Sequence, residues 1–198
     1  LWAPTWKEKG SEWQEFLGDD ESVLAFHSPE ELLVFLNTTA QHDLTDHPKW
    51  ANFQAQADDR VVPSEKQYYD IVGAPNFLAD RPSHGNVSQL SRVLQLSRSL
   101  AEVANAEQAQ IFFASHSILA NVARGSEHYS GDAGLDEWSG VGRVVLANWE
   151  NVVHSLDGAV RVVETNELDA DAVASAGTAI TAAQEERARR REEQQLSL

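Results

Sequence analysis

The sequence predicts an α+β protein with a small antiparallel sheet near the N-terminus, a largely helical C-terminal half, and a tail that is a solvated helix or disordered. Three observations indicate this class. A short apolar run is followed directly by a helix start in residues 22–31, apolar residues take the helical period from Asn86 onward, and large apolar residues become rare after Glu164. With 42% hydrophobic residues, we expect one α+β domain over residues 1–165 and an Ala-rich, charged tail over residues 166–198 that is helical or flexible.

The N-terminal elements are predicted from capping signals. Ser11-Glu12-Trp13-Gln14 has the form of a capping box and predicts a short helix that ends before Gly18. Residues 22–26 predict a buried strand. Ser28-Pro29-Glu30-Glu31 places an N-cap residue first, proline at the first helical position and glutamate at the third, so a helix begins there.

Further strands are expected from the middle of the chain. Tyr68–Val72 predicts a second strand that pairs with the first. Because two strands are marginal in water, a third is expected near residues 61–62 or upstream of Leu1, whose position in place of Met indicates a trimmed N-terminus. Residues 43–59 predict a capped turn that leads into a short helix.

The helical half shows the i, i+3/i+4 spacing of amphipathic helices. One apolar stripe covers residues 90–104 and continues over residues 111–125. A glycine-bracketed loop at residues 125–134 then precedes the strongest helix of the sequence. Its buried face holds seven apolar residues: Trp138, Val141, Val145, Trp149, Val152, Val153 and Leu156.

The composition narrows the classes of function. The net charge is −16, and most of it lies outside the tail, so the body should repel phosphate backbones. The charge suits basic protein partners better than nucleic acid, and simple solubility explains it as well. There is no cysteine, which excludes disulfides and thiolate chemistry. Neither a long apolar stretch nor a signal-peptide pattern occurs, so we expect a cytoplasmic protein without membrane contact.

The first candidate site combines two histidines with two carboxylates. His42, Asp43, Asp46 and His47 are residue types that bind divalent metals, and Asp43, Asp46 and His47 could serve a hydrolase. Their spacing is unspecific, and a turn with Asp46 as an N-cap explains the same residues. We therefore predict no metal site and no cofactor.

The second candidate is the loop that contains Glu127, His128 and Tyr129. A histidine beside Ser130 and acidic residues is typical of acid–base catalysis, but residues this close in sequence rarely adopt triad geometry, and neither a nucleophile elbow nor a phosphate-loop motif accompanies them. The alternatives are a binding loop and a helix-to-helix turn with Tyr129 packed against the core.

Clusters near the two ends are the candidates for partner contact. Trp2 and Trp6 would mark an interface if they are exposed, because aromatic anchors are enriched there. The tail carries four arginines between acidic pairs: Arg187, Arg189, Arg190 and Arg191. Two interpretations of this arginine block stay open, self-pairing on an exposed helix and docking of a partner.

Several segments are similar to a known family: residues 1–6, 11–18, 42–50 and 125–131, and the helix that carries Trp149. They resemble a family of small actinobacterial cytoplasmic proteins with the loose label "primosomal protein". The similarity spans about residues 1–165. The resemblance implies an acidic tail, from which the arginine block departs, and a further strand upstream. The label implies replication or recombination, and the acidic body favours contact through a protein partner. No site residue follows from the resemblance.

The sequence favours a non-enzymatic protein-binding or adaptor protein, linked to DNA replication through a protein partner. One alternative is a hydrolase or metal-dependent enzyme that uses the cluster at residues 42–47 or the loop at residues 127–128. Another is weak nucleic-acid binding by the arginine block. An adaptor should show a flat apolar patch with Trp2 or Trp6, whereas an enzyme should show a deep polar pocket.

Overall fold

A computed structural model describes residues 1–196 of the chain. Its strands are β1 (Trp2–Glu8), β2 (Ser11–Phe16), β3 (Val23–Ala25) and β4 (Val160–Val162). Its α-helices are α1 (Pro29–Thr38), α2 (Trp50–Gln54), α3 (Ala57–Arg60), α4 (His84–Val103), α5 (Glu107–Ser115), α6 (Gly131–Asp157) and α7 (Ala170–Leu196). Short 3-10 helices span Glu65–Gln67, Ala74–Leu78, Ser117–Arg124, Ser126–Tyr129 and Thr165–Glu167. The predicted α+β class, with a small N-terminal antiparallel sheet and a helical C-terminal half, is confirmed.

The chain divides into two compact units. Unit 1 comprises Leu1–Gln67 together with the residues from Arg161 onward, and unit 2 comprises Tyr68–Val160. The predicted division into a domain over residues 1–165 and a tail over residues 166–198 stays a prediction. Ser197 and Leu198, at the end of that tail, lie outside the described residues. Of the described helices, none is long and apolar enough to cross a membrane.

Unit 1 begins with a hairpin where the sequence predicted a helix. Residues 11–16 form β2, which pairs antiparallel with β1. The capping-box prediction is wrong. The residues before Ser11 make a tight turn, so the backbone of residues 11–16 forms hydrogen bonds with β1. Tertiary pairing of this kind overrides a weak local helix preference.

The predicted strand at residues 22–26 is confirmed as β3, but its predicted partner is wrong. β3 pairs with β4, and Val163 N donates to Ala25 O at 2.9 Å just beyond β4. Residues 68–72 form an irregular segment whose Ile71 carbonyl accepts a hydrogen bond from Trp149 Nε1 at 2.7 Å. A side chain of unit 2 therefore takes the backbone group that a strand would have used.

The predicted start of α1 is confirmed. Ser28 Oγ accepts from Glu31 N at 3.2 Å, and Glu31 Oε2 accepts from His27 N at 3.1 Å. Glu31 is buried, with 4% of its surface exposed, and its other oxygen accepts from Thr165 Oγ1 at 2.6 Å. This carboxylate joins two parts of unit 1 that are distant in sequence.

Most of the described tail forms the helix α7, and the first half of this helix packs into the core of unit 1. Ala176 and Ile180 on α7 are buried in the same apolar cluster as Leu33, Trp50 and Val61. The sequence did not indicate this packing because the α7 stripe consists mainly of alanines, which large-residue periodicity does not detect.

Unit 2 is built on α4, α5 and α6, as the helical spacing predicted. Trp138 and Trp149 lie on the buried face of α6, and Trp138 Nε1 donates to Asp80 O at 3.0 Å. Phe112 of α5 packs edge-on against Trp149, with ring centroids 6.0 Å apart. The stripe at residues 90–125 is divided into separate helices, with a first break at Asn105, where φ is 53°.

Candidate functional site

The β1–β2 hairpin carries Trp2 and Trp6, which the sequence predicts as partner contacts. Lys9 and Gly10 have positive φ angles of 50° and 82°, the backbone of a two-residue turn whose twist matches that of the strands. Trp6 lies opposite Trp13 in the register. Because directly opposite residues point to the same side of a sheet, both indoles belong to one face of the hairpin.

The three N-terminal tryptophans differ in exposure. Trp13 is 53% exposed, whereas Trp2 and Trp6 are half-buried. Trp2 stacks on Phe16 with ring centroids 5.7 Å apart, and Trp6 meets His47 edge-on at 4.3 Å. The expected exposed pair is therefore replaced by a single exposed indole, Trp13. Whether Trp2 and Trp6 contact a partner stays a prediction.

In the turn at residues 42–47, both histidine side chains accept hydrogen bonds from nearby backbone N–H groups. His42 Nδ1 accepts from Leu44 N at 3.2 Å, and His47 Nδ1 accepts from Lys49 N at 3.0 Å. Each neutral ring therefore carries its proton on Nε2. Burial lowers the pKa of both histidines from the ordinary value of 6.5, because the charged form loses hydration.

The same turn does not assemble a metal-binding set. His42 packs edge-on against Trp50 at 4.5 Å, and its Nε2 is buried without a hydrogen-bond partner among the described residues. Asp43 N donates to Gly18 O at 3.2 Å, and Asp46 does not cap α2, which has no side-chain cap. Within residues 1–196, no group of three or more His, Asp or Glu side chains is placed to hold a metal ion.

Carboxylates gather between the base of the hairpin and this turn. Burial raises the pKa of Glu15, and the charge of Asp43 raises it further. Burial raises the pKa of Asp43 most, and the negative charges of Asp20 and Asp19 raise it further. Arg161 offsets part of this charge, with Nη2 3.7 Å from Asp19 Oδ2. The region between the hairpin base and this turn is therefore acidic, and its negative charges repel one another.

In unit 2, the loop at residues 125–131 is a turn between helical segments with Tyr129 in the core. Tyr129 is 1% exposed and packs edge-on against Trp138 at 5.0 Å. Gly134 lets α6 approach the Tyr129 backbone closely, because a Cβ at this position would clash with that backbone. Burial, with a smaller effect of Glu137, raises the pKa of Tyr129 to about 12. The interpretation as a packed turn is confirmed, and Tyr129 is not available at the surface.

The histidine of this loop has an acidic partner that the sequence did not suggest. His128 Nε2 lies 2.8 Å from Glu137 Oε2, and Asn121 Nδ2 donates to the other oxygen of Glu137. Ser130 Oγ donates to Glu127 O at 2.8 Å rather than to the histidine. The loop therefore contains an oriented histidine without a nucleophile paired to it, and the hydrogen bonds fix the loop on α6.

The arginine block lies on the second half of α7. Arg190 Nε is 2.9 Å from Glu186, and Arg189 binds the same carboxylate. Arg187 Nη1 is 3.6 Å from Asp59 Oδ1 of α3. Self-pairing on an exposed helix, one of the two interpretations, is confirmed for Arg189 and Arg190, whereas Arg187 connects α7 with α3.

Comparison with known proteins identifies a family for most of the chain. The model of the SatS C-terminal domain matches residues 1–157. The chain belongs to this family. No curated protein and no solved structure matches it. The actinobacterial origin and the primosomal label are not tested by this match, and both stay predictions.

The match to the SatS C-terminal domain divides the candidate residues into two groups. The hairpin, the turn at residues 42–47 and the His128 loop lie within the matched residues. The match ends with α6, so β4, α7 and the arginine block lie outside it. Any role of the arginine block is therefore a question about this chain rather than about the family domain.

Sequence reasoning missed Trp13 and Glu137. The capping-box interpretation places Trp13 in a helix, although its separation from Trp6 across Lys9-Gly10 is also that of a hairpin pair. Glu137 lies three residues after Gly134 on α6, and residues three apart share a helix face. The glycine that admits Tyr129 could have indicated which side chain meets the loop.

Proposed function

We propose that this chain is a non-enzymatic protein-binding module that contacts its partner through the hairpin of unit 1. One observation carries the proposal: Trp13 is 53% exposed on a sheet of two strands, β1 and β2. An exposed indole on a strand is a typical interface anchor. In a two-stranded sheet each strand also keeps one edge with backbone donors and acceptors that a partner strand can pair with.

The charge of the chain supports a basic partner. The net charge is −16, and carboxylates of residues 15–21 and 43 lie at the base of the hairpin. Positive charge on a partner would speed association, and the negative charge of this chain disfavours nucleic acid as a direct ligand. The cytoplasmic location and a link to replication through this partner are part of the proposal and rest on the resemblance of the sequence.

The enzyme alternative receives no support from the geometry. His42 and His47 each accept a backbone hydrogen bond at Nδ1, and His128 is paired with Glu137. General acid–base catalysis requires a reacting group within hydrogen-bond reach of such a side chain. In the described residues these histidines serve turns and packing.

The test compares two exposed aromatic residues by affinity capture. Tagged wild type, Trp13→Ser and Tyr68→Ser are used with native lysate treated with nuclease, and captured proteins are quantified by mass spectrometry. Tyr68 is 72% exposed and lies in unit 2, so it controls for the loss of any surface aromatic. We expect a partner that binds wild type and Tyr68→Ser, with recovery on Trp13→Ser reduced by about tenfold or more.

Two results would contradict the proposal. One is a partner that all three proteins capture equally, because the hairpin indole would then contribute nothing. The other is a partner whose capture disappears with nuclease, because contact would then pass through nucleic acid.

A further inference from the structure

α7 occupies a face of unit 1 that α1 and α3 form. Ala176 and Ile180 are buried there, at 6% and 4% exposed, in one cluster with Leu33 and other core residues. The helices come close enough that a Cβ on Gly177 would lie 3.6 Å from Glu30 Cγ of α1. The first half of α7 therefore packs on this face through small and aliphatic side chains.

The contact between α7 and this face is confined to the first half of the helix. The side chains that pack there are small or aliphatic: Ala172, Val173 and Ala176 lie against the core cluster, and Ile180 is buried in it. Beyond Ile180, the described residues of α7 are exposed apart from Ala183 and Glu186, which are half-buried. The second half is connected to α3 by the pair Arg187–Asp59, whose side chains are 53% and 32% exposed. Exposed ion pairs of this kind add little stability.

The segment just before α7 has contacts of its own with unit 1. Val163 is buried, at 3% exposed, and its N–H donates to Ala25 O. Thr165 Oγ1 donates to the buried carboxylate of Glu31 at 2.6 Å. If α7 detaches from the α1/α3 face, these contacts can hold the preceding segment in place on unit 1.

The face and its occupant differ in relation to the family. α1 and α3 lie within residues 1–157, which match the SatS C-terminal domain, whereas α7 lies outside the match. The apolar face therefore belongs to the family domain, and the helix that covers it belongs to the adjoining segment of this chain.

We propose that the α1/α3 face is a helix-binding surface, that α7 is its intramolecular occupant, and that a partner helix of the same chemistry displaces α7. Such a helix carries small residues four apart, as at Ala172 and Ala176, and one aliphatic anchor at the position of Ile180. It also has a basic residue two turns later that can pair with Asp59. The proposal depends on α1, α3 and α7 alone, so its failure would leave the hairpin proposal untouched, and the reverse also holds.

The decisive experiment locks α7 in place with an engineered disulfide. The chain has no cysteine, so Glu30→Cys with Gly177→Cys introduces the sole pair, at a position where the side chains already approach. The probe is a fluorescein-labelled peptide of residues 170–191, and its binding to the full chain is measured by fluorescence anisotropy. We expect the reduced protein to bind the peptide at least about tenfold more tightly than the oxidised protein, because only the reduced form can vacate the face. Wild type under the same two redox conditions is the control.

A second pair of variants tests the same point without a disulfide. Ile180→Asp should detach α7 from the α1/α3 face. Because the competing helix is then displaced, the affinity for the peptide should rise by about tenfold or more over wild type. Thr181→Asp, an exposed neighbour on the same helix, should leave the affinity unchanged. If Ile180→Asp does not fold, the disulfide comparison decides alone. Equal binding by the oxidised and reduced proteins, or absence of binding by the reduced protein, would overturn the proposal.

Discussion

The two units use their tryptophans differently. In unit 2, Trp138 and Trp149 are buried on α6, and each indole N–H donates to a backbone carbonyl, of Asp80 and Ile71 respectively. In unit 1, Trp6 is half-buried with an indole N–H that has no hydrogen-bond partner among the described residues, and Trp13 is exposed. Trp50 of unit 1 is buried as well, so the contrast lies between α6, where indoles fix irregular segments, and the β1–β2 hairpin, where an indole is exposed.

This difference suggests which unit serves as scaffold and which as contact surface. A buried N–H that finds a carbonyl stabilises one arrangement of the chain, whereas an unpaired N–H costs free energy and is expected where function outweighs stability. The contrast is not complete, because Tyr129 OH and Ser97 Oγ of unit 2 also lack partners in the described structure. The contrast between the two units is clearest for the indole N–H groups.

The largest effect is expected for Trp149→Phe in unit 2. The substitution removes the donor to Ile71 O and part of the ring that packs on Phe112. An unpaired carbonyl together with a small cavity should lower the free energy of unfolding by about 2–4 kcal/mol. Chemical denaturation followed by circular dichroism measures this decrease.

The control for Trp149→Phe lies one helical turn away. Leu146 on α6 is 70% exposed, so Leu146→Ala should change the free energy of unfolding by less than about 0.5 kcal/mol. Similar decreases for the two variants would mean that the indole hydrogen bond does not fix residues 68–72, and the contrast between the units would fail.

Much of unit 2 could be predicted from the sequence, and less of unit 1. The apolar spacing of α6 indicates its buried face directly, because local periodicity and tertiary packing agree there. They disagree at residues 11–16 of unit 1, where cross-strand pairing with β1 replaces the predicted helix. Within unit 2 they disagree at residues 68–72, where Trp149 binds the backbone of the predicted strand. Contacts between residues distant in sequence decide both cases, and no local pattern contains them.

The candidate site shows the same limit of local reasoning. The sequence predicts the packed position of Tyr129 as one alternative, because a tyrosine between two helices can pack its ring against their core. The partner of His128 is Glu137, in the next helix, and the partner of Glu31 is Thr165, far along the chain. Residue type and spacing can indicate that such a side chain needs a partner, but the fold determines which one it finds.

A smaller effect is expected from the titration of His42 in unit 1. Burial lowers the pKa of His42 in the folded state from the ordinary value of 6.5, so between the two values the unfolded chain binds more protons. The stability contribution is fully present above pH 6.5 and is lost as pH falls through the folded-state pKa. Because the ring is partly exposed, the decrease should be on the order of a few tenths of a kcal/mol.

The titration is measured by urea denaturation between neutral and mildly acidic pH. His42→Asn keeps a side-chain acceptor for Leu44 N but cannot titrate, so the decline in stability with falling pH should be shallower than in wild type. His154→Asn replaces an exposed histidine of α6 and should leave the wild-type decline unchanged. A decline that is identical in wild type and His42→Asn would show that protonation of this ring is not linked to folding.

Trp6→Phe is the counterpart of Trp149→Phe in unit 1, and its effect should be much smaller. The substitution removes a buried N–H that has no partner among the described residues, and this gain offsets part of the weaker apolar packing of the smaller ring on His47. The free energy of unfolding should therefore change by less than about 1 kcal/mol, clearly less than for Trp149→Phe. The two variants are compared in the same denaturant series. A decrease at Trp6 as large as that at Trp149 would mean that the Trp6 indole is a structural anchor like those of α6, and it would remove the distinction between scaffold and contact surface.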